Sequence, residues 1–265
     1  MNLDQRHAVV TGAAGGIGAA LAERFHRAGA NVVVADINGD GAQAVAASLN
    51  AIRPGSALGV QADVASEAGN VALIAAAEAT FGVIDLFFAN AGIGGGALLD
   101  TPEEMWEAAF NINTHAHRWA AKHLLPGWLA RGEGYFCSTA SAAGLLSQIG
   151  SAPYSMTKHA AVAFTEWLSI TYGDQGVRVS CLCPQGVNTN LLNSGDTAGT
   201  DAVRASGRVL EPAEVAEVAL GVIEAETFLI LPHPEVLTFM QRKTGDYDRW
   251  LGGMRKLQAR MTGNH

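Results

Sequence analysis

The feature that most constrains the fold is a glycine run between an apolar stretch and a helical pattern. His7–Thr11 is short and apolar, as expected of a buried strand, and glycines follow it at positions 12, 15, 16 and 18. Ile17, Leu21 and Phe25 then recur at helical spacing. Glycines at a strand-to-helix turn let the backbone approach a phosphate, and the helix N-terminus offers free N–H groups. The spacing Gly-x-x-x-Gly-x-Gly therefore predicts a phosphate-binding turn, although tight packing alone also explains such glycines.

A second predicted strand, residues 31–35, ends in Asp36, eighteen residues after Gly18. An acidic side chain at this point can hold the ribose hydroxyls of adenosine and repel a 2′-phosphate. No lysine or arginine that could bind such a phosphate occurs at Ala13, Ala14, Gly15 or Ile37. The sequence favours NAD over NADP, and an NADPH-dependent carbonyl reductase is kept as the alternative.

Tyr154 is followed four residues later by Lys158, and Ser141 stands thirteen residues before it. Residues four apart on a helix share a face, so an ammonium can lie beside a phenol. A free phenol has a pKa near 10 and is a poor base at neutral pH. One cation about 4 Å away contributes on the order of 4 kcal/mol, enough to lower that pKa by about three units. The pattern predicts a general base, although Tyr-x-x-x-Lys alone also occurs on ordinary exposed helices.

Short apolar stretches alternate with helical ones along the chain. The further predicted strands are Ala57–Gln61, Ile84–Ala89, Gly134–Ser138, Val177–Leu182 and Phe228–Leu231. The helical stretches include Glu67–Phe81, Pro102–Leu125, Pro153–Tyr172 and Pro212–Ala225. Apolar strands joined by helical crossovers argue for a parallel sheet covered on both faces. We predict an α/β fold of the Rossmann type, a doubly wound parallel sheet of about seven strands in one domain spanning residues 1–265.

Composition argues against several classes of function. The net charge of −8 and the lack of a basic run disfavour nucleic acid or an anionic membrane as a partner. No apolar run approaches the length of a transmembrane helix, and the first strand begins too early for a signal peptide. Three cysteines without a Cys-x-x-Cys pair predict a cytoplasmic protein. His115 and His117 lack a third ligand at suitable spacing, so no metal site is predicted.

With further motifs included, the chain resembles the short-chain dehydrogenase/reductase family from about His7 to Pro232. These motifs are Asp63-Val64, Asn90-Ala91-Gly92, Asn113, Ser141–Gly144 and Pro184–Thr189. Each is modest alone, and their order and spacing support the resemblance. One departure is visible, because the family commonly has Pro-Gly where this chain has Pro184-Gln185, with glycine one position later.

The resemblance implies a catalytic tetrad of Asn113, Ser141, Tyr154 and Lys158. Tyr154 would exchange a proton with an alcohol as hydride moves to or from NAD, and Ser141 would hydrogen-bond the substrate oxygen. Lys158 would lower the pKa of Tyr154 and bind the nicotinamide ribose, and Asn113 would hold a water that links Lys158 to solvent.

The resemblance also implies an NAD-binding set. Asp63 and Val64 would meet the adenine, Asn90 the adenosine ribose, and Val187 and Thr189 the nicotinamide carboxamide. The complete set is Gly12, Gly15, Gly16, Ile17, Gly18, Asp36, Ile37, Asp63, Val64, Asn90, Ala91, Gly92, Tyr154, Lys158, Pro184, Gly186, Val187 and Thr189.

The substrate site is less sharply indicated. Residues 185–210 are predicted to form a lid, because the stretch from Leu191 to Gly207 is rich in small and polar residues and follows the nicotinamide motif. A plain connector is the alternative. Few fixed charges are expected nearby, so a small-molecule substrate, a neutral and apolar secondary alcohol or ketone, is favoured. The predicted pocket residues are Gly94, Ser141, Ala143, Gln148, Tyr154 and Leu191.

Residues 233–265 form a predicted helical extension. Met240, Tyr247, Met254 and Met261 recur every seven residues, with interruptions expected at Gly245 and at Gly252-Gly253. The extension is expected to dock on its own domain or on a neighbouring subunit. The alternative is that Phe239, Tyr247 or Trp250 reaches the substrate entrance.

The resemblance also implies a homo-oligomer, a dimer or tetramer, pairing through Pro102–Leu125 and Pro153–Tyr172. A non-catalytic NAD-binding regulator on the same fold is the remaining alternative to an enzyme. A complete tetrad argues against it, since a pure binder needs no Tyr154 beside Lys158.

Overall fold

Seven parallel strands form one sheet in the order β3-β2-β1-β4-β5-β6-β7. The computed structural model describes residues 1–94, 96, 98–193, 204 and 207–262. The strands are β1 His7–Thr11, β2 Asn31–Asp36, β3 Ala57–Gln61, β4 Leu86–Ala89, β5 Gly134–Thr139, β6 Val177–Leu182 and β7 Leu229–Ile230. The predicted doubly wound α/β sheet is confirmed. β4 begins two residues later than predicted, since the Ile84 carbonyl accepts side-chain hydrogen bonds from Trp128 and Arg131 instead of joining the ladder.

Helices cover both faces of the sheet. They are α1 Gly16–Arg27, α2 Gly39–Ile52, α3 Glu67–Phe81, α4 Glu103–Phe110, α5 Ala116–Arg131, α6 Ala143–Leu146, α7 Ala152–Tyr172, α8 Asn190–Asn193, α9 Pro212–Ala225, α10 Glu235–Gly245 and α11 Tyr247–Thr262. Apolar residues of α1, α2 and α9 fill one layer, and those of α3, α5 and α7 fill the other. Successive strand residues alternate between the layers, as Val9 and Val10 do, because side chains alternate across a strand.

The predicted helix Pro102–Leu125 is interrupted by a π-helical turn at Asn111–His115. Single π-turns inserted in α-helices are often found at functional sites. This one contains Asn113, whose side chain is fully buried. The helix then continues as α5 to Arg131, with Pro126 inside it.

The order of the strands places a crevice at the carboxyl edge of the sheet. β1 pairs with β2 on one side and with β4 on the other, and the chain winds outward in both directions. Ligands of open α/β sheets bind outside the strand ends at such a switch point. The loops after β1 to β6 contain predicted site residues, and Asn113, Tyr154 and Lys158 lie on helical segments.

The C-terminal extension is a pair of helices, α10 and α11. The predicted interruption at Gly245 is confirmed, because extended backbone at Asp246 separates them. The interruption predicted at Gly252-Gly253 is wrong, since both residues lie within α11. Trp250, Phe239 and Met240 pack around Val236 and Leu146, so this part of the extension docks on its own subunit.

Among the described residues, no helix is long and apolar enough to cross a membrane. The predicted lid falls largely on residues 194–203, 205 and 206, which lie outside the described part of the chain.

Candidate active site

The turn after β1 has the geometry of an anion cradle. Gly12 and Gly16 have φ of +64° and +55°, a region that favours glycine. A Cβ at Gly18 would lie 2.1 Å from the Gly12 carbonyl oxygen, whereas a Cβ at Gly15 would meet nothing within 4 Å. α1 then begins without an acidic residue in its first turn or a side-chain cap. The free N–H groups and the open space at Gly15 fit a dinucleotide pyrophosphate.

Asp36 is held beside this turn. Its Oδ2 accepts a hydrogen bond from the Ala14 N–H at 2.9 Å, and its Oδ1 accepts one from the Asn38 N–H at 2.9 Å. The carboxylate is thereby fixed at the end of β2, where the adenosine ribose is expected. Ile37 next to it is 67% exposed. Asp63, after β3, accepts a hydrogen bond from the Ala65 N–H at 3.0 Å, and Val64 is buried.

Asn90 has a role in the structure that the motif alone did not reveal. Its Nδ2 donates to the carbonyl oxygens of Thr11 and Gly12 at 2.9 and 3.3 Å. Its Oδ1 accepts from the Thr139 hydroxyl at 3.0 Å. The amide thus ties the ends of β1, β4 and β5 together and holds the glycine turn. A Cβ at Gly12 would lie 2.7 Å from the Ala91 Cα, so the two loops are in close contact.

Asn113 and Lys158 converge on the loop after β4. Asn113 Oδ1 accepts from the Ile93 N–H at 2.9 Å, and its Nδ2 donates to the Ile93 carbonyl at 3.0 Å and to Thr157 Oγ1 at 3.1 Å. Lys158 Nζ donates to the Thr139 carbonyl at 2.9 Å. A Cβ built on Gly92 would lie 3.2 Å from Asn113 Oδ1 and 3.3 Å from Lys158 Nζ. Side chains from the π-turn and from α7 therefore meet at one point.

Ser141 and Tyr154 join the same cluster from β5 and α7. The Ser141 hydroxyl is buried, accepts from the Ala143 N–H at 3.1 Å and donates to the Pro184 carbonyl at 3.4 Å. A hydrogen bond with Ser141 acts to lower the pKa of Tyr154. Lys158 Nζ lies 5.5 Å from the centre of the Tyr154 ring. The structure thus brings all four predicted tetrad residues together.

The charges of this cluster are set mainly by burial. Burial raises the pKa of Tyr154 above its ordinary value, despite the hydrogen bond with Ser141. Burial also lowers the pKa of Lys158 from 10.5 to about 8. The direction for Tyr154 is opposite to the one expected from the Tyr-x-x-x-Lys spacing, because removing the phenolate from water outweighs the hydrogen bond with Ser141. An anionic Tyr154 near neutral pH therefore needs positive charge beyond that of Lys158.

The segment after β6 returns to the glycine turn. A Cβ at Gly16 would lie 3.2 Å from Thr189 Cγ2, and Val187 is buried. Gln185, where the family commonly has glycine, donates its N–H to His233 Nδ1 at 3.1 Å. Its Oε1 is buried without a hydrogen-bond partner among the described residues. Pro184 through Thr189 thereby closes the side of the crevice opposite Asn90.

Four of the six predicted substrate residues, Ser141, Ala143, Gln148 and Tyr154, lie along the stretch from Ser141 to Tyr154. Ala143 begins α6 directly after Ser141, and the Gln148 N–H donates to Ser155 Oγ at 2.8 Å beside Tyr154. Gly94 has open space at its Cβ position, and Leu191 is 46% exposed. The stretch from Ser141 to Tyr154 therefore borders the space between these two residues.

His117 is a buried residue near the site that sequence reasoning did not assign. Its Nδ1 lies 2.7 Å from Ser138 Oγ, and its Nε2 has no hydrogen-bond partner among the described residues. Burial, with the nearby charge of Lys158, lowers the pKa of His117 from 6.5 to about 3. The described residues include no cluster of His, Cys, Asp and Glu that could hold a metal ion.

We expect His117 to destabilise the protein in mild acid. The pKa of His117 is about 3 in the folded protein, against the ordinary value of 6.5 that applies to the unfolded chain. As the pH falls, the unfolded chain therefore takes up the proton first. Protonation of His117 therefore leaves the free energy of unfolding unchanged above pH 6.5 and lowers it progressively as the pH falls toward 3. Between pH 7.5 and 5 the loss is about 2 kcal/mol. Urea unfolding at both pH values measures this loss of stability. The variant His117→Asn, which keeps a hydrogen-bond partner for Ser138, should reduce the loss. An unchanged loss in this variant would exclude His117 as the cause.

Comparison with known proteins agrees with the fold and identifies the family. The family model for short chain dehydrogenases matches residues 6–198. The 1-deoxy-11-beta-hydroxypentalenate dehydrogenase of Streptomyces exfoliatus is 39% identical over 78% of this chain and 74% of its own length. The cis-4-hydroxycyclohexanecarboxylate dehydrogenase of Sinomonas cyclohexanicum is 35% identical over 85% and 92%, respectively.

A solved structure is similar as well. A short chain dehydrogenase/reductase from Burkholderia phymatum, crystallised in complex with NAD, has a TM-score of 0.85 and 30% sequence identity. The match covers 94% of this chain and 96% of the other. The chain belongs to the short-chain dehydrogenase/reductase family.

Proposed function

We propose that the protein is an NAD-dependent dehydrogenase of secondary alcohols in which Tyr154 is the general acid and base. The observation behind this proposal is the convergence of Ser141, Tyr154, Asn113 and Lys158 beside the glycine turn. Family membership supports oxidoreductase chemistry on CH–OH groups.

The residues that would hold NAD follow from the geometry. The turn Gly12–Gly18 and the start of α1 would bind the pyrophosphate, and Asp36 the ribose hydroxyls of adenosine. As the family resemblance implies, Lys158 would bind the nicotinamide ribose, and Val187 and Thr189 the carboxamide. NAD, when bound, accepts or donates the hydride.

The protein groups would act on the alcohol oxygen. Ser141 is buried and rigidly held, so it can donate a hydrogen bond to that oxygen and stabilise charge that develops there. Tyr154 takes the proton of the alcohol in oxidation and returns it in reduction. Lys158, whose pKa is lowered to about 8 by burial, can pass a proton to or from the phenol of Tyr154. Asn113 lies beside Lys158, where it can orient a water that leads the proton to solvent.

The substrate class we propose is an alicyclic secondary alcohol. The wall next to Ser141 is apolar, with Ala142, Leu146, Val236 and Trp250 in one cluster. Two relatives are named for alcohols on carbon rings, a hydroxycyclohexanecarboxylate and a hydroxypentalenate. We further propose that the protein is a cytoplasmic homo-oligomer.

Two alternatives are less well supported. An NADPH-dependent reductase is disfavoured by the Asp36 carboxylate beside the glycine turn. A non-catalytic NAD-binding protein is disfavoured by the buried tetrad. Among the described residues, the buried Lys158 ammonium donates a hydrogen bond only to a backbone carbonyl, which is costly without a chemical role.

A panel of alcohols tests the proposal. The purified protein is incubated with NAD and one alcohol at a time: cyclohexanol, hydroxycyclohexanecarboxylic acids, open-chain secondary alcohols and sugar alcohols. NADH formation is followed by absorbance. We expect turnover of the ring alcohols with kcat/KM at least about tenfold above that of sugar alcohols, because one apolar wall distinguishes such substrates only modestly. A preference for sugar alcohols would contradict the proposed substrate class, and turnover of no alcohol would contradict the enzymatic function.

A further inference from the structure

An ammonium group from the C-terminal extension is hydrogen-bonded to the segment between Ser141 and Tyr154. Lys243, near the end of α10, donates a hydrogen bond from Nζ to the Leu145 carbonyl at 2.7 Å. Leu145 belongs to α6, within the stretch that runs from Ser141 to Tyr154. The two ends of this stretch, Ser141 and Tyr154, are the residues proposed to hold the reacting oxygen, so Lys243 is bound to the segment that joins them.

Lys243 has no anionic partner among the described residues. It is half-buried, and burial lowers its pKa with no neighbouring carboxylate to raise it. None of the ion pairs in the described part of the chain includes it. The Tyr247 ring, centred 5.8 Å from Nζ, offers only a weak cation–π contact. An ammonium has three donors, so Lys243 retains hydrogen-bonding capacity beyond the Leu145 carbonyl.

The surroundings of Lys243 strengthen its need for a counter-charge. The neighbouring side chains Phe239 and Met240 on the same helix pack on Leu145 and Leu146. Apolar neighbours reduce the access of water, and a partly desolvated cation is stabilised strongly by an anion. Moreover, α10 and α11 together contain six basic and two acidic residues, with Asp246 between them, although the chain as a whole has a net charge of −8. Such an excess of positive charge attracts anions towards the extension.

We propose that Lys243 determines substrate specificity by binding a carboxylate at the end of the substrate remote from the reacting alcohol. The preferred substrate would then be an alicyclic hydroxy acid, with its hydroxyl at Ser141 and Tyr154, its ring against the apolar wall and its carboxylate at Lys243. This inference rests on the proposed function and replaces the neutral substrate expected from the sequence. The competing explanation is that Lys243 only ties α10 to the C-terminal end of α6, where a cation is favourable.

The test compares an anionic and a neutral alcohol of similar shape, cis-4-hydroxycyclohexanecarboxylate and cyclohexanol, as substrates with NAD. Lys243→Gln removes the charge while keeping a donor for the Leu145 carbonyl, and Lys243→Met removes both. Lys243→Arg restores the charge. Lys256→Met, at an exposed position on α11, is the control for loss of one positive charge from the extension.

We expect Lys243→Gln and Lys243→Met to raise KM for the hydroxy acid about 10- to 100-fold, the effect of losing one charge-assisted hydrogen bond. Their kcat for the acid and their kinetics with cyclohexanol should stay within about twofold of wild type, because those depend on Tyr154 and Ser141. Lys243→Arg should recover most of the affinity, and Lys256→Met should have no effect. If Lys243→Gln raised KM equally for both alcohols, the inference would be overturned and Lys243 would be only a structural tie between α10 and α6.

A binding measurement separates this inference from the proposed reaction. Calorimetric titration with cyclohexanecarboxylate, in the presence of NADH, requires no turnover. Binding that is at least about tenfold weaker in Lys243→Gln supports the anion site, even if neither alcohol is oxidised. The lack of oxidation would by itself reject the proposed function. Equal affinity of wild type and variant, or no binding by wild type, would overturn the inference.

Discussion

Tyr154→Phe is expected to lower kcat for alcohol oxidation by about 10³-fold, within the range that general acid–base catalysis contributes. The substitution removes one oxygen and keeps the ring, whose centre lies 5.5 Å from Lys158 Nζ. Because no other phenol lies in the described part of the cluster, the variant has no second phenolic oxygen to take the proton at the same place. Steady-state rates at saturating NAD and alcohol measure the effect.

The same variant should bind NADH with an affinity within about twofold of wild type, because Asp36 and the glycine turn are unaffected. Tyr172→Phe, at the far end of α7, is the matched control and should leave kcat unchanged. A similar loss of rate in both variants would indicate damage to the helix instead of loss of the base.

Asp36→Asn should shift the cofactor preference from NADH towards NADPH by about 100-fold. A carboxylate about 6 Å from a 2′-phosphate, at an effective dielectric near 20, opposes it by about 3 kcal/mol per unit of charge. Asparagine keeps the shape and an acceptor for the Ala14 N–H, so the glycine turn should be preserved. Fluorescence titration with NADH and with NADPH gives both dissociation constants.

Asp40→Asn is the control for this cofactor experiment, since Asp40 is an exposed carboxylate in the first turn of α2. It should change the preference by less than about threefold, because exposed charges are screened by solvent. Wild-type protein that binds NADPH as tightly as NADH would contradict the role assigned to Asp36.

Local patterns in the sequence predicted much of the fold and the site. The glycine turn, Asp36 and the Tyr154–Lys158 pair were identifiable because each depends on residues close together in the chain. The limits of β3, β6, α3 and α9 agree with the predicted ones, since apolar periodicity changes sharply at their ends.

Features that depend on distant residues could not be predicted in this way. The π-turn at Asn111–His115 inserts a residue into a helix whose local sequence shows no break, and Asn113 is held by Ile93 and Thr157. Lys243 contacts Leu145 across 98 positions of the chain, so no local motif connects them. The raised pKa of Tyr154 depends on burial by the whole fold, which the spacing to Lys158 does not include.

The central claim, that the Tyr154 oxygen exchanges the proton of an alcohol while NAD takes the hydride, is tested most directly by a single-turnover experiment. Enzyme in excess over NAD is mixed rapidly with a saturating ring alcohol, and the rate of NADH formation is recorded for wild type and Tyr154→Phe. A rate about 10³-fold slower in the variant, with its NADH affinity unchanged, is the predicted result. Equal single-turnover rates in the two proteins would contradict it.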